Sequence, residues 1–226
     1  MQEAKKFDVR ENAQKIATEF IEKGDPTGWF DELYERAGDN HEYIPWADLE
    51  PNRFLLAWAE KVALRGNGRN ALVIGCGLGD DARFLDELGF RVTAFDISPK
   101  AIEWARRLNA ETEIEFFAAD LFDPPADWQN AFDFVLEVYT IQALPPDLRD
   151  ETIDAIGRFV GDGGHLVVVT RGRSDDEPAE GPPWPLSKNE LSRFEAGNLH
   201  QTDLLEMEGD EEEPVRRFVV EYEKGM

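Results

Sequence analysis

The 226-residue sequence has a single cysteine, Cys76, and only three histidines. One thiol cannot form a disulfide within the chain, and a cysteine-rich zinc cluster is excluded with it. The histidines, His41, His165 and His200, show no metal-ligand spacing. No metal site is therefore expected.

Basic side chains and long apolar runs are scarce as well. Lysine and arginine total 24 against 48 aspartates and glutamates, for a formal net charge of −24. A surface of that sign repels nucleic acid and anionic membranes, so neither is expected as a partner. No stretch approaches the roughly 20 apolar residues of a membrane span, and no apolar leader follows the first residues. We expect a soluble cytoplasmic protein, a monomer or weak homodimer, whose acidic shell is a solvated surface or an attraction for a cationic substrate.

Core-forming residues are plentiful. Hydrophobic residues make up 42% of the chain and include six tryptophans and fifteen phenylalanines, which is enough for one sizeable globular domain. Apolar side chains at helical spacing predict three N-terminal helices, over residues 9–23, around 29–34 and over 52–65. Turn-forming segments, Gly24-Asp25-Pro26 and Gly66-Asn67-Gly68, end the first and the third of them.

From residue 67 onwards, short apolar strands alternate with helices. Strands are predicted at 71–74, 91–95, 113–119, 132–138 and 165–170, and helices at 80–88, 99–108, 146–160 and 187–196. This alternation is typical of a parallel sheet with helices on both faces.

The last part of the chain differs, because residues 200–208 and 215–223 flank a turn-like acidic segment. They predict an antiparallel hairpin on the otherwise parallel sheet, with the acidic run 208–213 as its solvated tip. The predicted fold is a doubly wound α/β domain. Its seven-stranded, mostly parallel sheet has an antiparallel C-terminal hairpin strand and lies in three α/β/α layers. Residues 1–66 would form an N-terminal helical lid, and residues 67–226 the α/β core.

The most informative segment is the first strand of this core and the loop that follows it, Ala71-Leu72-Val73-Ile74-Gly75-Cys76-Gly77-Leu78-Gly79. Glycine at every second position lets the backbone turn tightly and approach a ligand. Seventeen residues after Gly79, a second apolar strand ends in Asp96. An acid at that strand end can accept hydrogen bonds from both hydroxyls of a ribose. The pattern predicts a pocket for the adenosine part of a cofactor; an ordinary strand-to-helix turn, with Asp96 as a helix cap, is the alternative.

The sixth position of the loop selects the cofactor. Dinucleotide-binding loops carry a third glycine there, whereas this chain has Asp80, followed by Asp81. Two carboxylates would repel a pyrophosphate at the helix N-terminus and would suit a cation. S-adenosylmethionine carries a sulfonium and an ammonium and no phosphate. The loop therefore favours S-adenosylmethionine over NAD, with S-adenosyl-L-homocysteine as the product.

These features resemble those of the Rossmann-like, class I S-adenosylmethionine-dependent methyltransferases, over about residues 27–224. Within that superfamily the sequence most resembles the thiopurine and small-thiol or halide methyltransferases. The position two residues before the first glycine holds Val73 rather than an acid, as is frequent in that group. The segment from Trp29 to Trp46 is similar to its N-terminal Trp…Pro-Trp segment, and Gly181-Pro182-Pro183-Trp184 resembles its Gly-Pro-Pro-aromatic loop.

The resemblance implies a set of cofactor contacts. The loop glycines would line the methionine part, and Asp120 would accept a hydrogen bond from the adenine amino group. Ile97 and Leu121 would sandwich the adenine ring, and the N-terminal tryptophans would cap the cofactor. With the acids at 81 and 137, the predicted cofactor-binding residues are Trp29, Trp46, Gly75, Cys76, Gly77, Gly79, Asp81, Asp96, Ile97, Asp120, Leu121 and Glu137.

Several of these residues have a second interpretation. Asp80 and Asp81 open the helix after the loop, so they either start that helix or contact the cofactor's ammonium. Asp120 is otherwise a solvent-exposed turn aspartate. Glu137 ends the fourth strand, where such folds place ligands, and faces either the cofactor's amino group or the acceptor. Cys76 has no general base beside it, so it is not expected to act as a nucleophile.

The acceptor side is predicted from aromatic residues. Tyr139 is the catalytic candidate, to orient or help deprotonate an acceptor, although a packing tyrosine fits the same pattern. The predicted substrate contacts are Tyr43, Tyr139 and Trp184. An aromatic lid would exclude water and favour the sulfonium by cation–π contact. Packing of the N-terminal helices on the sheet is the alternative.

The expected reaction is direct in-line methyl transfer to a small-molecule acceptor, through a thiol or another soft heteroatom. Alignment and exclusion of water can supply much of the barrier reduction, without a metal or a covalent intermediate. A small amine, carboxylate or carbon acceptor is the first alternative. A noncatalytic adenosyl-binding module is the second.

Overall fold

A computed structural model describes residues 8–209 and 214–226. Seven strands in this part of the chain form one sheet, in the order β3-β2-β1-β4-β5-β7-β6. Their bounds are Asn70–Ile74 (β1), Arg91–Asp96 (β2), Glu115–Ala118 (β3), Phe132–Val138 (β4), Val160–Arg171 (β5), Leu199–Glu208 (β6) and Arg216–Lys224 (β7). Strands β1 to β5 pair in parallel, and β7 pairs antiparallel with both β5 and β6. The predicted doubly wound sheet with an antiparallel C-terminal hairpin is confirmed. Residues 210–213 of the predicted acidic tip lie outside the described residues.

The bounds of the seven α-helices in the described residues are Val9–Glu22 (α1), Gly28–Ala37 (α2), Arg53–Lys61 (α3), Asp80–Glu87 (α4), Pro99–Leu108 (α5), Arg149–Gly157 (α6) and Lys188–Leu191 (α7). Four of them, α1, α3, α5 and α7, begin at a side chain that caps them. The side chains of Asp8, Asn52 and Ser98 accept backbone N–H groups at the starts of α1, α3 and α5. Each such cap satisfies N–H groups that the helix itself cannot pair.

Three helix boundaries differ from the prediction. The helix expected over residues 146–160 is α6, preceded by a single 3-10 turn over Pro146–Leu148. Val160 pairs with Phe132 and is the first residue of β5. The glycines that follow Val160 are typical of a turn, but here they lie within this long strand. The helix expected over 187–196 is α7 followed by a 3-10 segment, and the third helix ends at Lys61.

The sheet separates two apolar layers. The layer on one face lies between the sheet and helices α6 and α7, and it includes the fully buried Phe159 and Phe194. The layer on the other face lies between the sheet and helices α3, α4 and α5, and it includes the fully buried Trp58 and Phe134. A third cluster joins α1 and α2 to Leu78 of the glycine loop and to Trp104 of α5. The N-terminal helices therefore lie against the loop that the sequence assigns to the cofactor.

Among the described residues, no helix combines the length and the apolar composition that crossing a membrane would need.

Candidate cofactor and acceptor site

The carboxyl ends of β1, β2 and β4 bring the predicted site residues to one edge of the sheet. Ile74, the last residue of β1, pairs with Phe95 on one side and with Glu137 on the other. Asp96 follows Phe95 directly, and the glycine loop follows Ile74. Parallel strands place their carboxyl ends at the same edge, which is where doubly wound folds bind ligands.

The three loop glycines have different surroundings. All three have positive φ angles, 58° at Gly75, 52° at Gly77 and 89° at Gly79, which side-chain-bearing residues rarely adopt. A Cβ on Gly75 would lie 2.3 Å from Thr140 Oγ1, and one on Gly79 would lie 2.9 Å from the Phe116 ring. At Gly77 the nearest atom would be the Tyr34 hydroxyl, at 3.0 Å. Gly75 and Gly79 are thus required by packing within the core, whereas Gly77 faces the N-terminal helices.

Asp96 holds the loop in place. One carboxylate oxygen accepts the Gly77 N–H at 3.0 Å, and the other accepts the Ser98 N–H at 2.9 Å. Burial raises the pKa of Asp96, and these N–H groups oppose the shift. A carboxylate oxygen has two lone pairs, so each oxygen keeps capacity for one more donor. A ribose diol provides two such donors.

Tyr34 and Trp46 cover Gly77. The Trp46 indole N–H donates to the Tyr34 hydroxyl at 3.0 Å, and the two rings meet nearly edge to face. Burial, with the nearby Asp96 charge, raises the pKa of Tyr34. Tyr34 was not among the predicted site residues, because its position on the buried face of α2 is equally typical of a core tyrosine. Tyr34 approaches Gly77 through a tertiary contact, which the spacing of residues along the chain does not reveal.

Acidic side chains attach α2 to α5. Asp31 accepts hydrogen bonds from the Ser98 hydroxyl at 2.6 Å and from the Lys100 N–H at 3.2 Å. Glu35 forms an ion pair with Lys100 at 2.8 Å. Ser98 also caps α5 directly after the Asp96 turn. The contact therefore links the N-terminal helices to the residue that the sequence assigns to the ribose.

The predicted lid aromatics occupy different places. Trp29 is buried among the N-terminal helices, its indole N–H donates to the Pro26 carbonyl at 3.1 Å, and its ring meets Trp46 edge to face. Trp46 and Tyr43 are exposed. Trp29 thus packs within the N-terminal helices, as the alternative to a cofactor contact predicts. Trp46 is the tryptophan that reaches the glycine loop.

Asp120, predicted to contact the adenine, is exposed and accepts the Phe122 N–H at 2.9 Å in a local turn. Leu121 is buried in the core cluster beside Phe95, and Ile97 is half-buried. Ile97 follows β2, and Asp120 and Leu121 follow the neighbouring parallel strand β3, so the predicted adenine contacts lie at the carboxyl ends of two adjacent strands.

The acids after the loop make contacts within the protein. Asp81 accepts the Asn52 N–H at 2.7 Å, and burial raises the pKa of Asp81 to about 6. Asp80 pairs with Arg83 at 3.3 Å, and burial raises the pKa of Asp80. Asp81 joins the start of α3 to the start of α4, a contact that fits the helix-start interpretation. Cys76, between the glycines, donates its N–H to the Phe95 carbonyl at 2.9 Å.

Glu137 lies at the end of β4, where the sequence left cofactor and acceptor contact open. Its Oε1 atom accepts the N–H groups of Thr140 and Ile141, at 2.5 and 3.0 Å. Tyr139 lies in this turn with a φ of 63°, and its hydroxyl accepts a hydrogen bond from Arg217 Nε at 3.0 Å. Strained backbone of this kind is frequent at functional sites. The Arg217 contact directs the Tyr139 hydroxyl towards β7.

The segment from Gly181 to Trp184 lies beside the same turn. The Trp184 N–H donates to the Gln142 carbonyl at 2.7 Å, and the Gln142 side chain accepts the Arg171 N–H at 2.6 Å. Gln14 of α1 donates to the Pro182 carbonyl at 2.9 Å. The loop after β5 and the N-terminal helices therefore meet over the carboxyl edge of the sheet.

Glu137 generates a pH prediction. Burial raises its pKa from 4.5 to about 7, against the opposing effect of its two backbone N–H partners and Arg149. The folded protein then holds the proton more tightly than the unfolded chain, so stability is lost as pH rises through that range. Relative to Glu137→Gln, the parent should lose on the order of 3 kcal/mol of unfolding free energy between about pH 5 and about pH 8. Urea unfolding at both pH values measures this; an equal difference at the two would contradict it.

Sequence and structure comparisons agree with this geometry. The family model "Methyltransferase domain" matches residues 71–164. A probable thiopurine S-methyltransferase of Yarrowia lipolytica is 25% identical over 75% of this chain and 86% of its own length. A 2-heptyl-1-hydroxyquinolin-4(1H)-one methyltransferase of Mycobacteroides abscessus is 26% identical over 65% of this chain and 64% of its own length.

A solved structure extends the likeness to the whole fold. It is the 1,6-didemethyltoxoflavin-N1-methyltransferase of Burkholderia thailandensis with bound 1,6-didemethyltoxoflavin and S-adenosylhomocysteine. It is 18% identical, covers 99% of this chain and 93% of its own, and has a TM-score of 0.64. The open lone pairs of Asp96 and the glycine loop suit the same cofactor. The chain is thus a class I, Rossmann-like S-adenosylmethionine-dependent methyltransferase, with thiopurine S-methyltransferases among its relatives.

Proposed function

We propose that this methyltransferase transfers a methyl group to a small-molecule acceptor, through sulfur or another soft heteroatom. The observation that carries the proposal is the contact between Gln14 of α1 and the Pro182 carbonyl, at 2.9 Å. It joins α1 to the loop that contains Trp184, and that loop also contacts the turn after β4 through the Trp184 N–H and the Gln142 carbonyl. A site closed from both sides favours a compact acceptor and disfavours a macromolecule.

The names of the relatives support the same class of acceptor. One relative is named for a thiopurine and methylates sulfur, and another is named for a hydroxyquinolinone. Both acceptors are small ring compounds. Sulfur is the atom that the names of the thiopurine relatives specify.

In this proposal residues 1–66 form the lid and residues 67–226 the core. Asp96 would hold the ribose, the backbone at Gly77 would approach the methionine part, and Asp120 would hold the adenine amino group. S-adenosylmethionine supplies a methyl group that is already electrophilic. The residues of the chain then have to orient the acceptor and exclude water, which can contribute roughly 7–11 kcal/mol.

An amine acceptor is the second candidate. The net charge of −24 and the buried carboxylate of Glu137 would both favour a cationic substrate.

The cofactor assignment is tested by calorimetry with S-adenosylhomocysteine. Asp96→Asn removes the charge that the ribose hydroxyls would meet and should weaken binding about tenfold or more, since an unpaired polar group in a closed site costs roughly 1–3 kcal/mol. Asp133→Asn is the matched control, because the Asp133 carboxylate also accepts a backbone N–H, that of Asn70 at 2.8 Å, but at the opposite end of the sheet. Equal affinity of both variants would place the cofactor away from Asp96.

The acceptor class is tested by measuring methyl transfer from S-adenosylmethionine to a panel of small thiols, amines, carboxylates, proteins and RNA. We expect turnover of small thiols and none of protein or RNA, because an edge covered by both segments would admit only compact molecules. Robust methylation of a macromolecule, with no turnover of small thiols, would contradict the proposed acceptor and leave the methyltransferase assignment intact.

A further inference from the structure

The carboxyl end of β5 extends beyond the strand that pairs with it. Val138, the last residue of β4, pairs with Val169, and the Tyr139 N–H donates to the Val169 carbonyl at 3.0 Å. The chain then turns away from β5 at Tyr139, where φ is 63°. The last two residues of β5, Thr170 and Arg171, therefore have no residue of β4 opposite them.

The side chain of Gln142 takes the place of the missing strand. Gln142 is 4% exposed and lies in the 3-10 turn Ile141–Ala143. Its Oε1 atom accepts the Arg171 N–H at 2.6 Å and the Thr170 hydroxyl at 3.1 Å. A backbone N–H can only donate, so the carboxamide oxygen has to face β5 and the amide nitrogen lies on the other side. The turn after β4 is thereby fixed to the end of β5.

The main chain of Gln142 holds the loop of residues 173–185, which we call the Trp184 loop. The Gln142 carbonyl accepts the Trp184 N–H at 2.7 Å, and Nη2 of the buried Arg149 donates to the Trp184 carbonyl at 3.4 Å. The loop closes at Leu186, whose N–H donates to the Arg171 carbonyl at 2.9 Å. Gln142 thus contacts the end of β5 through its side chain and Trp184 through its backbone.

The indole of Trp184 has few contacts of its own. It is half-buried. Within the described ranges its Nε1 atom donates no hydrogen bond, and its ring pairs with no other aromatic ring. A tryptophan that is buried for packing usually satisfies its N–H within the protein. The backbone of Trp184 is therefore fixed while its indole stays available to a ligand.

We propose that Gln142 is a positioning residue for the methyl acceptor and that it acts through Trp184. By holding the Trp184 backbone, Gln142 sets the place of the indole beside the carboxyl ends of β4 and β5. A fixed indole there limits the size of the acceptor that binds. The inference rests on the proposed function and deepens it, because it assigns acceptor selection to a residue that does not touch the acceptor. Supporting hydrogen bonds of this kind keep a binding side chain in its productive place.

Three substitutions separate the parts of this arrangement. Gln142→Met keeps the length of the side chain but leaves the Thr170 hydroxyl and the Arg171 N–H without their acceptor. Gln142→Glu keeps an oxygen towards β5 and replaces an amide nitrogen that makes no hydrogen bond in the described residues. Trp184→Ala removes the indole itself. Gln129→Met, at an exposed position, is the matched control for the glutamine-to-methionine change.

The measurements are methyl transfer from S-adenosylmethionine to thiophenol and to the larger naphthalene-2-thiol. We expect Gln142→Met to raise the KM for thiophenol about tenfold, the scale of one lost hydrogen bond, and to change kcat far less. Its preference for thiophenol over naphthalene-2-thiol should fall. Gln142→Glu should restore the parent values. Calorimetry with S-adenosylhomocysteine should give parent affinity for every variant, and thiophenol added to that complex gives a readout independent of turnover.

A double-mutant cycle tests whether Gln142 acts through Trp184. Trp184→Ala should raise the KM for thiophenol at least as much as Gln142→Met does, and combining the two should add nothing further. Should Gln142→Met not fold, Thr170→Val replaces it. Valine keeps the shape of Thr170 and removes one of the two donors to Gln142, so the same shift should appear on a smaller scale.

Three results would overturn the inference. Additive effects of the two substitutions would mean that Gln142 acts independently of Trp184. Equal losses in Gln142→Met and Gln142→Glu would show that the oxygen towards β5 is not what matters. Weaker S-adenosylhomocysteine binding in a folded Gln142→Met variant would assign the residue to the cofactor.

The parent enzyme tests the proposed function separately. If the parent methylates thiophenol and Trp184→Ala leaves its KM unchanged, only the present inference fails. If the parent neither binds nor methylates either thiol, the proposed function fails and this inference fails with it.

Discussion

The carboxylate of Asp96 organises the candidate cofactor site. By accepting the N–H groups of Gly77 and Ser98, it ties the loop after β1 to the turn after β2. Ser98 in turn donates its hydroxyl to Asp31, so the same turn anchors α2. A single buried acid thereby sets the relative positions of the loop, the start of α5 and the N-terminal helices. Hydrogen bonds to a charged group are the stronger ones, which suits a residue with this role.

Burial of acids is a recurrent feature of the site. Asp81, Asp96 and Glu137 all have raised pKa values because they are removed from water, and all accept at least one backbone N–H. The N–H groups fix the orientation of each carboxylate and limit the cost of its burial. The chain has a net charge of −24. The three buried acids differ from its solvent-exposed carboxylates because backbone N–H groups hold them in fixed orientations.

Patterns that are local in sequence predicted the fold, and they also brought together the loop and strand-end residues of the candidate site. The apolar strands, the glycine loop and Asp96 lie within one βαβ unit, so their spacing alone places them together. The long-range contacts could not be predicted in the same way. Tyr34 above Gly77, Gln14 against Pro182 and Arg149 behind Glu137 join segments between 12 and 168 residues apart, through packing that a single sequence does not encode visibly. Local patterns also failed at Val160, which was predicted to end a helix. It begins β5, because glycines that usually mark a turn lie inside this strand.

We expect the adenosyl group to bind at Asp96, under the N-terminal helices. A crystal structure of the complex with S-adenosylhomocysteine tests it most directly. Both ribose hydroxyls should lie within hydrogen-bond distance of the Asp96 carboxylate. The Tyr34 hydroxyl and the Trp46 indole should contact the bound ligand beside Gly77. An adenosyl group bound elsewhere, with Asp96 still contacting only the Gly77 and Ser98 N–H groups, would contradict it.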